Sequence, residues 1–512
     1  MFRKVLSISA LAAAVSLAVA PAAFAGKAND TLVWSTTREV AVADPYFNNT
    51  RELVIMGNTV WDGLLFRNLK TGEYMPLLAK SYKWVDTTTI DFELRTDVVF
   101  HDGSKFGPED VVYTVNFVAK EENGVLTQAN VNFMESAEKT GPNSVRIKLK
   151  KPFPAALAYF AQAVFMMPEG HYEKAPAGPD GKKDYAAVKP VGTGPYMITK
   201  VIAGDRVEMV RNDKYFKGGP KGTAAIKNLT FRSIKEMNTQ LAELLTGGLD
   251  WIWDVPKDQA DKLKDSGAVT VTNAKTMRVS YIAFDVNGTS GEKHFMDKRV
   301  REAVAHAINR KSIVENLVGP ASEVIDSACH PDQFGCTQDV KKWAYDPAKA
   351  KALLKEAGFA NGFTTDIYAY REREFTEAVI GDLANVGIKA NLKYMQYRAL
   401  RELVWKGTTP IHHMTWGSNS IPDVSASTGH FFSGGKDDPA KDSSVVEALE
   451  AGNTSVDPAV RKAKYKEALS RISSELYWLP MFTYAKYYAY SRDLDFQPTS
   501  DEIPRFFTAK WK

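Results

Sequence analysis

A chain of 512 residues exceeds what one hydrophobic core usually supports, and at about one domain per 150 residues it predicts two or three lobes. The formal net charge is +4, falling to roughly +2 without Arg3 and Lys4, too weak a field to name a nucleic acid or a membrane surface as partner. Aromatic residues make up 11% of the chain, which suits the lining of a ligand pocket and equally suits large cores.

The first 25 residues read as a secretory signal peptide: Arg3 and Lys4, an apolar run from Val5 to Ala20, and Ala23-Phe24-Ala25 as a small-residue cleavage site. That run is too short and too rich in Ala for a membrane span, which takes about 20 strongly apolar residues. No Cys stands near the cut, so no lipid-modified N-terminus is expected, and the mature protein should begin near Gly26. Nucleotides and most metabolic cofactors are scarce outside the cytoplasm, which favours a binder or a degrader over a metabolic enzyme.

A short strand is predicted over Thr31 to Trp34, then a helix over Glu52 to Leu65 with Leu53, Met56, Val60 and Leu64 on one stripe. A β-rich block follows: Ser81 to Val85, Ile90 to Arg95 in strict alternation, and Val98 to Gly103 closing on a turn. Pro108-Glu109-Asp110 starts a helix to Ala119, since Pro fits the first turn and carboxylates favour the positive end of the dipole. Ser144 to Leu149 reads as a strand and Pro152 to Phe160 as a helix. A stretch rich in Gly, Pro and Lys between Lys174 and Pro195 marks a lobe crossing, followed by paired strands Tyr196 to Val201 and Arg206 to Arg211. Met237 to Thr246 is a helix, Leu249 to Trp253 and Ser280 to Phe284 are strands, and Lys298 to Asn309 is a helix. A helix from Asp346-Pro347 to Ala357 precedes strand Phe363 to Tyr370, helix Phe375 to Asn385 and strand Ile388 to Tyr394, the order of a right-handed crossover in an α/β lobe.

The two cysteines, Cys329 and Cys336, enclose Pro331 and Gly335 and should close a loop as a disulfide in an oxidising compartment. The alternative is a zinc site using His330, although adjacency of His to Cys is poor ligand geometry.

Five segments in order resemble the bacterial solute-binding proteins of the dipeptide and oligopeptide type, family 5 (cluster C), that serve ABC importers. They are Phe92-Glu93-Leu94-Arg95 through His101-Asp102-Gly103 with Glu109 to Tyr113; Gly192-Thr193-Gly194-Pro195-Tyr196; Arg211 to Phe216 with Gly218-Gly219; Arg299 to Arg310; and Tyr345 to Gly358. The resemblance implies a two-lobed, periplasmic-binding-protein-like (type II) α/β clamp with an extra domain. Residues 1–25 would be the signal peptide; 26–60, 188–275 and 483–512 lobe I; 61–187 the extra domain; and 276–482 lobe III. It further implies a periplasmic monomer, without catalytic residues or cofactor, that closes around a peptide or peptide-like carboxylate and delivers it to an inner-membrane permease.

In peptide-binding members an Asp three residues after a Trp meets the free amino group, and here Asn419 follows Trp416 at that spacing. A neutral amide cannot compensate the desolvation of an ammonium, so the cargo need not be an ordinary peptide. Asp423 could supply the charge further along, or could simply cap a helix after Pro422. The resemblance points to Arg371 as the carboxylate grip, a planar fork that could alternatively pair with Glu372 or Glu374. Arg38, with Trp34 and Thr36 on the same first segment, is a second candidate, and Trp416 would pack on the ligand or in the core.

Other signals carry less. Met197 stands where the last glycine of a dinucleotide loop would be, and His412-His413 on a strand point to opposite faces. No hydrolase elbow or metalloprotease motif is present, so a secreted hydrolase is the weaker alternative; a periplasmic sensor or chaperone using the same cleft stays open.

Overall fold

The computed structural model describes residues 25–179 and 181–512, without the side chains of Ala129 and Asn419. The signal-peptide segment up to Phe24 therefore lies outside the described residues, as does the Asn419 side chain. Among the described residues no helix is long and apolar enough to cross a membrane.

A ten-stranded sheet runs through the molecule in the order Ile388–Tyr394, Phe363–Ala369, Ile411–Trp416, Thr270–Phe284, Trp478–Tyr490, Trp251–Trp253, Thr31–Thr36, Asn228–Ser233, Arg206–Arg211 and Tyr196–Ile202. Its centre is a pair of long antiparallel strands, Thr270–Phe284 and Trp478–Tyr490, hydrogen-bonded from Thr270↔Tyr490 to Ala283↔Trp478. At one end the second of these pairs with Trp251–Trp253, and at the other the first pairs with Ile411–Trp416. Each long strand thus belongs to both halves, and the ladder is interrupted between Lys275 and Val279. The expected divisions at 275/276 and 482/483 fall inside these strands, so the halves are joined by continuous β-structure.

Thr31–Thr36 is buried along its whole length because parallel strands flank it on both edges. Such a strand reads as a continuous apolar run, Leu32-Val33-Trp34, rather than as an alternation. At the far end Phe363–Ala369 and Ile388–Tyr394 pair in parallel with helix Arg373–Ala384 between them, the predicted crossover. A separate antiparallel sheet, Ala79–Asp86, Thr89–Leu94, Ser144–Leu149 and Met134–Gly141 in that spatial order, packs against helix Pro108–Val118 within residues 61–187.

The differences from the sequence reading have tertiary causes. The helix expected to Leu65 is Arg51–Val60, because the Val60 carbonyl accepts the Gly194 N–H at 2.9 Å instead of a further helical one. Val98 to Gly103 is a loop, not a strand: the His101 N–H donates to the Gly192 carbonyl, outside any sheet. The helix expected from Pro152 begins only at Ala156, past Pro154. Cys329 and Cys336 form a disulfide with Cα atoms 5.8 Å apart, leaving no thiolate for a zinc site with His330.

Three of the signature segments converge on one buried junction at the end of helix Arg51–Val60. The His101 ring bonds the Gly194 carbonyl at 3.0 Å and the Gly192 N–H at 3.2 Å, and Asn212 Nδ2 donates to the same Gly194 carbonyl at 3.1 Å. A Cβ on Gly192 would stand 2.1 Å from the Val60 oxygen, so only glycine allows this approach. Inside the junction the Asp62 carboxylate, fully buried, meets Lys221 Nζ at 2.6 Å and accepts from Thr193 Oγ1 at 3.0 Å. Lys221 spends its other donors on the Asn58 and Trp61 carbonyls at 2.7 and 3.1 Å. Burial pulls the Lys221 ammonium below its ordinary pKa while Asp62 pulls it back up.

Candidate ligand-binding site

Where the two long strands lose register, charged side chains from six separate segments converge. Glu502 is 2% exposed, and Arg278 Nη2 lies 3.1 Å from it, Arg51 Nη2 3.5 Å and Lys486 Nζ 3.5 Å. Burial alone would raise the Glu502 pKa, but Arg278, Lys486, Arg51 and Arg371 outweigh it and hold the carboxyl well below its usual range. Lys486 also meets Asp254 at 2.7 Å and sits 4.0 Å over the Trp253 ring. Arg371 pairs with Glu372 at 2.7 Å and faces the Tyr484 ring, whose hydroxyl donates to Glu372 at 3.1 Å. Arg51, Arg278, Arg371 and Lys486 are thus set against Glu502, Asp254 and Glu372, a surplus of one cation before Arg38 is added.

Backbone strain concentrates at the same place. Eight described non-glycine residues have positive φ, and Asp254, Glu372, Ser418, Ser420 and Glu502 are five of them. Ser420 is held by Arg51 Nη1 at 2.7 Å and donates to the Asp501 carbonyl, tying the loop after Trp416 to the opposite half.

Besides a cavity of about 150 Å³ lined by Asp254, Glu372, Tyr484 and Lys486 of this cluster, two further cavities share Asn130. The smaller, about 190 Å³, is lined by Arg38, Arg51 and Arg278 together with Asn48, Asn49, Thr127, Asn130 and Gln162. No carboxylate lines it among the described residues. The larger, about 500 Å³, is lined by Phe133, Phe153 and Tyr159 on the one hand and Trp416, Ala426 and His430 on the other, together with Lys150 and Lys151. Trp416 donates Nε1 to the Ala426 carbonyl at 2.9 Å and stacks on His430 with ring centres 4.5 Å apart, so its plane is fixed before any ligand arrives.

The sequence profile of bacterial extracellular solute-binding proteins, family 5, matches residues 73–439. The chain belongs to that family. It is 27% identical to the glutathione-binding protein GsiB of Salmonella choleraesuis over 510 aligned positions, covering 94% of each chain. Its fold is that of a dipeptide-binding protein from Pseudoalteromonas in complex with Met-Leu, with TM-score 0.80 and 20% identity over 94% of this chain and all of the other. It is equally that of NikA from Brucella suis in complex with Fe(III)-EDTA, with TM-score 0.79 and 24% identity over 94% of this chain. As a family 5 solute-binding protein the chain is a transport component of an ABC importer, not an enzyme; it captures a solute and delivers it to the membrane permease.

This solute-binding protein distributes the sequence candidates unevenly. Arg38 lines the small chamber and Trp416 the large one, whereas Arg371 lines neither and lies in the charged cluster paired with Glu372, the alternative expected for it. Trp34 also lines neither: it has no exposed surface and packs between Phe231 and Phe506, at 4.7 and 5.1 Å. Thr36 is buried too, donating Oγ1 to Glu52 at 3.0 Å and so fastening the first strand to the first helix. The Asp423 carboxylate is consumed by Arg461 at 2.9 and 3.0 Å and by the Ser425 hydroxyl at 2.7 Å, a buried ion pair under the Trp416 loop. Trp34, Thr36 and Asp423 thus each have a structural partner already in place.

Sequence reasoning missed Arg51, Arg278, Lys486 and Glu502, which come from three widely separated stretches of the chain. One local signal existed: Lys486 interrupts the otherwise apolar or hydroxyl-bearing strand Trp478–Tyr490, where a lone cation needs a buried partner. His412 and His413 do point apart, but into structure: His413 bonds Ser280 at 2.7 Å and Thr376 at 2.9 Å, and His412 bonds Thr409 at 3.2 Å.

Proposed function

We propose that this protein works in the periplasm, after signal-peptide removal, and that its cargo is a peptide-like solute carrying at least one carboxylate. The single observation behind the ligand class is the small chamber, where three arginines meet no lining carboxylate. Guanidinium groups grip carboxylates bidentately, and their surplus over Glu502 is charge that an anionic ligand would balance. The second chamber, with Trp416, Phe133, Phe153 and Tyr159, would take the apolar or aromatic part of the same molecule, across Asn130. GsiB, a relative named for glutathione, makes a dicarboxylate tripeptide a first candidate.

Asn419 sharpens the class, because the segment offers no carboxylate at the position that would meet a free ammonium. Acetylating the amino end of a bound dipeptide is then expected to cost little affinity. The test is a thermal-shift titration with free and N-acetylated dipeptides, glutathione, opine-like conjugates and simple diacids, alongside mass spectrometry of solute retained by the purified protein. A carboxylate at 100 times its Kd should stabilise by about 2.7 kcal/mol. If only a metal or a neutral sugar raised the melting point, the ligand class would be wrong; an exported protein that kept its first 25 residues would sink the assignment to a processed periplasmic form.

A further inference from the structure

We infer that removal of the signal peptide completes the fold: the α-ammonium created at Gly26 becomes the ion-pair partner of the buried Asp250 carboxylate. This rests on the export reading above.

Asp250 is 3% exposed and stands at the start of strand Trp251–Trp253 in the centre of the large sheet. Its Oδ2 accepts from the Val33 N–H at 2.8 Å and from the Gly26 N–H at 3.2 Å, and among the described residues no Lys, Arg or His pairs with it. The cations that line the same recess as Asp250 are turned elsewhere: Lys27 Nζ donates to the Lys512 carbonyl, and Arg492 donates to the Gly267 carbonyl at 3.0 Å. Burial without a cation pushes the Asp250 carboxyl up to about 6, so near neutral pH the fold holds a poorly compensated charge.

The Gly26 nitrogen is placed to supply the missing cation. Its single amide hydrogen is shared between two acceptors, the Thr31 carbonyl at 2.8 Å and Asp250 Oδ2 at 3.2 Å. The Gly26 carbonyl accepts in turn from the Thr31 N–H at 3.3 Å, so the segment is folded back on the first strand. Gly26 has φ of 102°, a conformation that a residue with a Cβ rarely adopts. Hydrolysis breaks the bond between the Ala25 carbonyl carbon and the Gly26 nitrogen: water gives its hydroxyl to the departing Ala25 carboxyl and a hydrogen to Gly26. One further proton from solvent makes the ammonium. Three N–H donors then replace one, enough for Thr31 and Asp250 together, and a unit positive charge faces the buried carboxylate.

The test compares otherwise identical mature chains that begin at Gly26, begin at Ala25, or carry an acetyl group on the Gly26 nitrogen, each with and without Asp250→Asn. The chain beginning at Gly26 should melt roughly 2–3 °C above the other two, and Asp250→Asn should erase that difference. Equal melting points, or a difference that survives Asp250→Asn, would overturn the ion pair. Should the Asp250→Asn chain not fold, the rate of α-amine acylation by a water-soluble reagent decides: a paired α-ammonium reacts at least about tenfold more slowly folded than unfolded, and an equal rate overturns the pairing. N-terminal sequencing of the exported protein separates the two readings. A start elsewhere than Gly26 defeats the processing step, whereas a start at Gly26 with no stability gain defeats only the ion pair.

Discussion

Two buried charge clusters, both next to helix Arg51–Val60, are built on opposite plans. Around Asp62 one carboxylate meets one ammonium, and the remaining donors of Lys221 end on the Asn58 and Trp61 carbonyls. Around Glu502 three cations share one carboxylate, two of them line a cavity, and several backbone segments sit at positive φ. The first cluster is closed, since nothing more could bind without breaking a bond already made. The second is electrostatically incomplete and lies on the strands that join the two halves, which is what a clamp needs if the ligand's charge is to favour closure. Buried charge by itself therefore does not mark a binding site; uncompensated charge beside a cavity does.

The largest effect should come from opening the closed cluster. Lys221→Met leaves the fully buried Asp62 without its ammonium partner, and should cost about 3–5 kcal/mol of unfolding free energy in urea. Pairing it with Asp62→Leu should recover much of that loss, because replacing both charges restores balance. Ligand affinity of the folded fraction should move less than about twofold, the site being elsewhere. A Lys221→Met chain of native stability would show that the two clusters do not differ in the way argued here.

That contrast also explains what was legible in the sequence. His101-Asp102-Gly103, Gly192-Thr193-Gly194 and Asn212 formed recognisable motifs because the closed junction needs fixed side chains and bare glycines at short spacing. The ligand-facing cluster left no such trace, as Arg51, Arg278, Lys486 and Glu502 meet only once the two long strands have paired. Periodicity located the helix at Met237–Thr246 and the strand at Ile388–Tyr394, whose partners are local. It caught only the last third of Thr270–Phe284, where alternation gives way to burial on both faces. Trp34 and Asp423 were misplaced for one reason: a single sequence shows a side chain's chemistry but not whether Phe231 or Arg461 already occupies it.

Opening the incomplete cluster should do the reverse. In Arg278→Met, Glu502 keeps Arg51 and Lys486, so the fold should lose only about 1 kcal/mol. Affinity for the most stabilising carboxylate found by titration should fall about 30- to 100-fold by calorimetry, the cost of removing one charged partner from a desolvated anion. If stability fell several kcal/mol while affinity held, Arg278 would belong with Lys221 as a structural charge.

Arg38 tests how far the incomplete cluster extends. It lines the same chamber as Arg51 and Arg278, yet it is exposed and makes no ion pair among the described residues. Water and salt screen such a rim charge, so it should steer an anion toward the cleft more than hold it there. Arg38→Gln should weaken binding only about two- to threefold at physiological salt, mostly through a slower association rate. The difference from the unsubstituted protein should shrink further as ionic strength rises, which stopped-flow titration at two salt concentrations would read. A loss as large as that of Arg278→Met, carried by dissociation and insensitive to salt, would instead mean that the lobes close tightly enough to bury Arg38 against the ligand.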